Sequence, residues 1–317
     1  MLRLNKILSN YRRIMLQKQQ QKSYDVQFYN CWEQANEEMY WNQFIQAKHL
    51  LDGSGKKVAV FSVFGPKRAV RWVNADVKIF FSAECLDRFP AYLGYCLEEK
   101  DIDLAMGFDF LENSRYIRFP LWMDYMFPAN SSEKEIRRIC EEIRYPKVGK
   151  RNKFCCMVAS NSADGLRGEM FDKISRIAHV DSAGHYLHND DSLLNNYDNN
   201  KNEYIRNYQF NICPENTSSY GYVSEKIFEA FKQGCIPIYW GSNGQVESEV
   251  VNRDALIYWD RDQGGKNALN QISELKDNPK LLSLFLSQPR LLPTAEEFVL
   301  DTYSQIYNKL LEIIKHK

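Results

Sequence analysis

"FNICPENTSSYGYVSEKIFEAFKQGCIPIYWGS", residues 210–242 of the chain, places a polar loop and a helical pattern between two apolar runs. Residues 209–214 and 235–241 predict buried strands, because each is a short apolar run bounded by turn residues. Ser224 is a favourable N-cap for a helix that starts at Glu225, and Gly234 is a favourable C-terminal cap. The segment therefore predicts one βαβ unit of a doubly wound parallel sheet.

The first turn of that helix carries charges that suit a nucleotide. Ligands of doubly wound sheets lie beyond the carboxyl ends of the strands, beside helix N-termini. The positive charge of Lys226 is unfavourable beside the positive end of the helix dipole. A bound phosphate would interact favourably with both the lysine and the dipole. Glu225 can accept hydrogen bonds from a vicinal diol such as a ribose, and Tyr222 can stack or donate its hydroxyl. The residues favour a nucleotide site, with a solvated first-turn ion pair as the alternative.

The composition is that of a folded, neutral chain. Its 317 residues are enough for two domains of ordinary size, and 44% of them are hydrophobic. Lys plus Arg and Asp plus Glu both number 41, which argues against a generally basic nucleic-acid binder. The eight cysteines contain no CxxC pair, so we expect buried free thiols in a reducing compartment and no zinc site.

Strand-like and helical segments alternate along both halves of the chain, which indicates an α/β fold. We expect a first domain over residues 1–150 and a second over residues 151–290, with a linker at 144–154. A C-terminal helix is expected over residues 291–317, with Thr294 as its N-cap and Glu297 at the capping-box position. The Asn- and Asp-rich stretch 188–204 predicts a loop. Further strands are expected within residues 25–32, 56–65, 76–84, 102–110, 154–160 and 254–260.

Residues 1–24 form a basic N-terminal segment. The first 22 residues carry six Lys or Arg and no acid, and their apolar residues recur at helical spacing. This pattern predicts a basic amphipathic helix that lies on an anionic membrane surface, or a surface helix that packs on its own domain. We expect no membrane span, because no apolar run reaches about 18 residues, and no secretory signal.

Several motifs resemble one known family. Glu215-Asn216, YGYVSEKI at 220–227 and IPIYWGS at 236–242 resemble, in order and spacing, the signature of the α1,3-fucosyltransferases of glycosyltransferase family 10, bacterial type. Four more segments of the chain are similar to segments of that family: VKIFFSAECL (77–86), SRYIRFPLWM (114–123), CCMVASNSADGLRGEMFDKIS (155–175) and VDSAGHYLHN (180–189). The resemblance covers roughly residues 76–260 of the chain.

The resemblance implies a GT-B fold, in which two Rossmann-like domains face each other across a cleft. It implies that the second domain binds GDP-fucose and that the first domain supplies the acceptor side. The implied reaction inverts the anomeric centre: GDP-β-L-fucose gives an α-L-fucoside on a hydroxyl of an N-acetylglucosamine or glucose unit. No cofactor is required in this scheme, and a divalent metal is at most stimulatory.

The resemblance also assigns roles to single residues. Glu84 matches the family's catalytic glutamate and would act as general base towards the acceptor hydroxyl. Cys85 and Leu86 depart from the family pattern beside it, and Asp87 could share the role. The donor-binding residues that the resemblance implies, with His185 as a further candidate, are Arg167, Asn216, Tyr222, Glu225 and Lys226.

Other candidates have less support. Asp101 and Asp103 form a DxD pattern, but they precede a first-domain strand, so we expect a surface loop there and no metal site. Trp32 and Glu33 end the first strand and could face the acceptor, although no motif supports them.

The expected partners are GDP-fucose and an oligosaccharide or lipopolysaccharide acceptor, with no nucleic acid and with membrane contact through residues 1–22. We expect a cytoplasmic protein, peripheral on the inner face of the bacterial cytoplasmic membrane. The alternatives are a transferase of another GDP-sugar or linkage, and a non-catalytic glycan-binding relative. A Rossmann oxidoreductase is disfavoured, because the chain contains no G-x-G-x-x-G motif.

Overall fold

The structure, a computed structural model, describes residues 2–32, 36–147, 149 and 151–317. The chain divides into two compact units: unit 1 comprises Met1–Ser132 and Val299–Lys317, and unit 2 comprises Glu133–Phe298. The unit boundary lies before the linker that the sequence analysis chose, because the helix Glu133–Arg144 belongs to unit 2. Val148 and Lys150 of that linker lie outside the described residues.

Unit 1 is built around a parallel sheet. Its elements are α1 (Leu2–Gln20), β1 (Val26–Tyr29), α2 (Tyr40–Ala47), β2 (Val58–Phe61), α3 (Ala69–Trp72), β3 (Val77–Phe81), α4 (Leu93–Leu97), β4 (Leu104–Gly107), β5 (Tyr116–Arg118) and α5 (Leu121–Met126). The strands lie in the order β1-β2-β3-β4-β5. β1, β2 and β4 are buried along their whole length, as expected for parallel strands that helices cover.

The predicted N-terminal helix exists as α1, and its inward face packs on unit 1. Ile14 is fully buried in the core, and the ring of Tyr11 meets that of Trp72 edge-on at 5.4 Å. Just after the helix, Gln21 Oε1 accepts from the Phe28 backbone N–H at 2.6 Å. Packing on its own domain was one of the two predicted arrangements, and membrane contact stays a prediction. Within the described part of the chain, every helix is too short or too polar to cross a bilayer.

Unit 2 contains the second sheet. Its elements are α6 (Glu133–Arg144), β6 (Lys153–Met157), α7 (Leu166–Ile174), β7 (Val180–Ser182), α8 (Ser192–Tyr197), α9 (Lys201–Ile205), β8 (Tyr208–Ile212), α10 (Lys226–Lys232), β9 (Ile236–Tyr239), β10 (Ile257–Tyr258), α11 (Lys266–Asp277), α12 (Pro279–Ser287) and the start of α13 (Ala295–His316). All strand pairs are parallel, in the order β7-β6-β8-β9-β10. Because the order reverses between β6 and β8, the topological switch point lies at the carboxyl ends of these two strands.

Most sequence-based element predictions are confirmed. Each expected strand overlaps one of β1–β4, β6 or β8–β10, since short apolar runs between turn residues are reliable strand signals. The predicted loop at 188–204 is wrong in part, because α8 and the start of α9 lie within it. Polar residues there still supply a helix cap: the Asn200 side chain accepts from the Glu203 backbone N–H at 3.2 Å.

Charged groups of α6 hold the start of α13. Arg144 binds Glu296 through two nitrogen–oxygen contacts of 2.6 Å each, and the side chains are only 11% and 13% exposed. Such bidentate, charge-assisted pairs are among the stronger polar contacts in proteins. The helix begins directly after Thr294, whose hydroxyl donates to the Glu249 carbonyl at 2.5 Å.

All eight cysteines are free, and every one except Cys31 is buried. In Cys235 the Sγ donates to the Ile205 carbonyl at 2.9 Å, and burial raises its pKa to about 11, which disfavours the reactive thiolate. The prediction of buried free thiols is therefore confirmed for seven of the eight cysteines and is wrong for the burial of Cys31.

Candidate functional site

A small cavity lies at the switch point of the unit 2 sheet. Its volume is about 30 Å³, which is room for a water molecule. Residues just after β6 and at the end of β8 line it, together with Arg167, Lys201 and Lys226. Cationic groups are thus concentrated where the topology predicts a ligand.

Lys226, the first residue of α10, is held by a buried carboxylate. Its Nζ donates to Glu215 Oε2 at 2.8 Å and to Ser224 Oγ at 2.7 Å. Burial acts to lower the pKa of Lys226, but the nearby carboxylates of Glu215 and Glu225 outweigh it and raise that pKa above its ordinary value. Lys226 is therefore charged at neutral pH although its side chain is only 17% exposed.

The predicted N-cap role of Ser224 is wrong. α10 begins at Lys226, and Glu225 occupies the N-cap position without a capping hydrogen bond from its side chain. Ser224 instead donates its backbone N–H to Glu215 at 2.8 Å and its hydroxyl to the same carboxylate at 2.6 Å. The buried carboxylate of Glu215 is a strong acceptor, so it engages both the backbone N–H and the hydroxyl of Ser224, and the side chain does not cap α10. Gly234 follows the helix at φ 73°, as predicted for its C-terminal cap.

Glu215 organises this part of the site. Its side chain is fully buried, and besides Ser224 and Lys226 it lies 3.3 Å from the Tyr239 hydroxyl, which donates to it. Gly241 makes room for this arrangement: a Cβ there would lie 2.7 Å from Glu215 Cγ and 2.7 Å from the Tyr239 hydroxyl. Glu215 belongs to a motif recognised in the sequence, but its role was not predicted. The available signal was an acid at the end of an apolar strand, close to a lysine in the next helix.

Two asparagines position the guanidinium of Arg167, which is the second residue of α7. Its Nη1 donates to the Asn161 carbonyl at 3.0 Å and to Asn161 Oδ1 at 2.7 Å, and its Nη2 donates to Asn216 Oδ1 at 2.9 Å. Burial lowers the pKa of Arg167 below its ordinary value, an effect that the charge of Glu215 opposes. The structure thus brings Arg167 and Lys226 to one cavity and places Asn216 against the guanidinium.

Lys201 was not among the residues predicted from the sequence. This residue opens α9 and forms an ion pair with Glu229 of α10, with side chains 34% and 12% exposed. Its Asn-rich surroundings concealed it, although Asn200 before a short helical pattern is a usable helix-start signal.

The remaining predicted donor residues differ in exposure. Glu225 Oε1 lies 3.9 Å from Lys226 Nζ. Burial acts to raise the pKa of Glu225, but the charges of Lys226 and Lys201 outweigh it and lower that pKa. Tyr222 is 3% exposed, which leaves little ring surface for stacking, and His185 is exposed beyond β7. Contact of these three residues with a donor stays a prediction.

The loops after β6 and β7 meet backbone to backbone at Gly184. A Cβ there would lie 2.2 Å from the Ala159 carbonyl oxygen and 2.4 Å from its nitrogen, so the approach requires glycine. Ala159 lines the cavity and Asn161 contacts Arg167, so this contact fixes the loop that positions the guanidinium.

Unit 1 holds a cavity of about 540 Å³ at the carboxyl ends of β1, β2 and β3. Glu84, which follows β3, lines this cavity; its side chain is 22% exposed and its Oε2 lies 3.3 Å from Arg88 Nη1. Ser82 Oγ donates to the Glu84 carbonyl oxygen at 2.5 Å and orders the turn. The role of Glu84 as general base stays a prediction. Asp87, the alternative base, is exposed, and Glu33 lies outside the described residues.

The DxD pattern lies at the other end of the same sheet, directly before β4. Asp101 Oδ2 lies 3.2 Å from Arg71 Nε, and Asp103 Oδ1 lies 2.8 Å from Lys317 Nζ. Both aspartates are thus engaged in ion pairs away from the carboxyl edge of the sheet. Among the described residues, no group of His, Cys, Asp or Glu side chains has the geometry of a metal site.

Two family models match the chain. The model for glycosyltransferase family 10 (fucosyltransferase), C-terminal part, matches residues 148–288. The model for the alpha-(1,3)-fucosyltransferase FucT N-terminal domain matches residues 26–125. Between them the two matches include every strand from β1 to β10.

Curated relatives belong to the same group. The chain is 31% identical to the alpha-(1,3)-fucosyltransferase FucT of Helicobacter pylori over 44% of its own length and 34% of that protein. It is 26% identical to the alpha-(1,3)-fucosyltransferase B of Drosophila melanogaster over 54% of its own length and 40% of that protein. The chain therefore spans about a third to two fifths of the length of these two curated relatives.

Solved structures show the fold. Crystal structures of an α1,3-fucosyltransferase, alone and with GDP-fucose, resemble the chain with TM-scores of 0.59 and 0.57. Each is 21% identical in sequence and is matched over 89% of both chains. The two parallel sheets are accordingly those of a GT-B fold. From its two family models and this fold, the chain belongs to glycosyltransferase family 10, the fucosyltransferases.

Proposed function

We propose that this chain is an inverting α1,3-fucosyltransferase that moves L-fucose from GDP-fucose to a hydroxyl of an N-acetylglucosamine- or glucose-containing glycan. The observation that carries the proposal is the convergence of Arg167, Lys201 and Lys226 at the switch point of the unit 2 sheet. A nucleoside diphosphate gains negative charge as it leaves a sugar, and fixed cations stabilise that charge. Family membership supplies the donor class, and one structural neighbour was solved with GDP-fucose.

In the proposed reaction, the acceptor oxygen forms a bond to C1 of fucose while the bond from C1 to the phosphate oxygen breaks. GDP leaves with the bonding electron pair, and Arg167 and Lys226 stabilise its charge in place of a metal. The acceptor proton passes to the carboxylate of Glu84. Attack from the face opposite GDP converts the β-linked sugar into an α-fucoside through an oxocarbenium-like transition state.

The other donor contacts follow from the same arrangement. In this proposal Glu225, ionised beside Lys226, accepts hydrogen bonds from ribose or fucose hydroxyls. Asn216 holds Arg167 and so positions the cation, while Tyr222 and His185 remain donor-side candidates in this proposal.

Replacing Arg167 by glutamine tests the donor site. Glutamine keeps an amide that can donate to the asparagine acceptors, but it removes the charge. Because hydrogen bonds to charged groups contribute about 1.5–3 kcal/mol, we expect the Kd for GDP to rise about 10- to 150-fold. Calorimetric titration of GDP measures this change. Arg176→Gln, at an exposed arginine just beyond α7, is the matched control and should leave the Kd unchanged.

The same proteins decide between transfer and the alternatives. We expect wild-type protein to release GDP from GDP-fucose in the presence of lactose or N-acetyllactosamine, and Arg167→Gln to do so more slowly. Turnover with GDP-mannose but not GDP-fucose would indicate another GDP-sugar. Tight GDP binding without turnover of any GDP-sugar would favour a glycan-binding relative. Absence of GDP binding would contradict the proposal altogether.

The proposal extends to a lipopolysaccharide acceptor and to peripheral contact of α1 with an anionic membrane. Leu8 and Leu16 are 47% and 59% exposed on α1, and the basic residues Lys6 and Arg12 are exposed beside them. Since each basic residue near an anionic surface contributes about 1 kcal/mol, Lys6→Glu with Arg12→Glu should lower binding to phosphatidylglycerol vesicles at least ~30-fold. Co-sedimentation measures this, with phosphatidylcholine vesicles as the control. Equal binding of both proteins, or none by wild type, would refute membrane contact.

A further inference from the structure

Aromatic side chains stand exposed around the cavity of unit 1. Trp32 is 81% exposed and Tyr125 is 59% exposed, and both line this cavity together with Phe64. Single exposed apolar residues are common, but exposed aromatic rings gathered at one concave surface mark a binding site. The donor-side chemistry proposed above uses none of these rings.

The position of Trp32 is set by a row of rings. Its ring centroid lies 5.2 Å from that of Phe64 with the planes 68° apart, and Phe64 lies 5.7 Å from Phe89. The row supports the indole while most of its surface faces solvent. Trp32 follows β1 and Phe64 follows β2, so the rings stand at the carboxyl edge of the sheet, beside Glu84.

Acidic side chains line the same cavity. Besides Glu84 these are Glu38, which precedes α2, and Asp124 of α5. Carboxylates accept hydrogen bonds from hydroxyl groups, whereas aromatic rings pack against the C–H face of a pyranose. A cavity of about 540 Å³ has room for a disaccharide. Because several carboxylates would repel an anion, this chemistry selects a neutral glycan.

We propose that Trp32 and Tyr125 form a subsite for the acceptor glycan, on which the apolar face of a neutral pyranose packs. The packed sugar presents a hydroxyl of its own, or of the adjoining sugar, to Glu84. The inference rests on the proposed function for the identity of the glycan as acceptor. Glycan binding by this cavity can nevertheless be measured without any transfer.

Donor-free binding tests the subsite directly. Saturation-transfer NMR with lactose or N-acetyllactosamine, in the absence of GDP-fucose, should give glycan signals with wild-type protein. Trp32→Ala and Tyr125→Ala should weaken glycan binding about tenfold each, the effect of losing one aromatic contact. Tyr145→Ala removes a ring that is 54% exposed and lies outside the cavity, so it should bind as wild type does. Trp32→Phe keeps a ring and should restore most of the binding.

Kinetics then connect the subsite to the acceptor. In an active enzyme, Trp32→Ala should raise the KM for the acceptor about tenfold and leave the KM for GDP-fucose within about twofold of wild type. Absence of transfer by wild type would count against the proposed function, and the NMR result would still decide the subsite. Undiminished glycan binding by the Trp32→Ala, Tyr125→Ala double variant, or no glycan binding by wild type, would overturn the inference.

Discussion

Glu84→Gln is expected to lower the kcat of fucose transfer by about 10²- to 10⁴-fold, the usual contribution of a general base. Glutamine has nearly the same shape and keeps an oxygen that can accept from Arg88, whose Nη1 lies 3.3 Å from the wild-type carboxylate. It cannot take a proton from the acceptor hydroxyl at neutral pH. The substitution therefore removes the chemistry and preserves the packing around the cavity.

Initial rates at saturating GDP-fucose and acceptor measure this effect, and GDP titration checks the donor site. GDP affinity should not change, because Glu84 lies in unit 1 and the cationic cavity in unit 2. Asp87→Asn is the paired variant and should retain nearly full activity. A large loss in Asp87→Asn with normal activity in Glu84→Gln would assign the base to Asp87 instead.

Glu215→Ala should destabilise unit 2 by about 3–5 kcal/mol, the usual result of removing one partner from a buried ion pair. Alanine would leave the ammonium of Lys226 without the carboxylate that now lies 2.8 Å away. It would also leave the Ser224 backbone N–H and hydroxyl without their acceptor. Urea unfolding measures this loss of stability. The transition of unit 2 is the one that moves to higher urea concentration when GDP is added, because a ligand stabilises the unit that binds it.

A double variant separates stability from binding at this position. Glu215→Leu with Lys226→Met removes both charges and keeps similar volumes, so most of the lost stability should return. GDP affinity should not return with it, because the cation is gone. A Glu215→Ala protein as stable as wild type would show that the buried pair contributes little. Full GDP affinity in the double variant would remove Lys226 from the donor site.

Local sequence determined much of the architecture. The apolar runs that became β1–β4, β6 and β8–β10 are recognisable because burial between helices demands continuous apolar residues over a strand. The βαβ unit at 210–242 followed from the same signals, and Gly234 ended its helix because a left-handed position favours glycine. Arg167, Lys226 and Glu84 were found because each lies in a motif contained within one short segment.

Tertiary structure decided which of these residues act together. β6 and β8 are separated along the chain by α7, β7, α8 and α9, and their pairing brings Arg167 of α7 to the cavity that Lys226 lines. The same packing turned Ser224 away from its helix towards Glu215 and brought Lys201 into the cation group. It also gathered Trp32, which follows β1, and Tyr125 of α5 around one cavity. Sequence alone determined the helices and strands, because hydrophobic periodicity and helix capping depend on residues that are close along the chain. The site required the tertiary fold, because charge pairing and shared burial depend on distance in space.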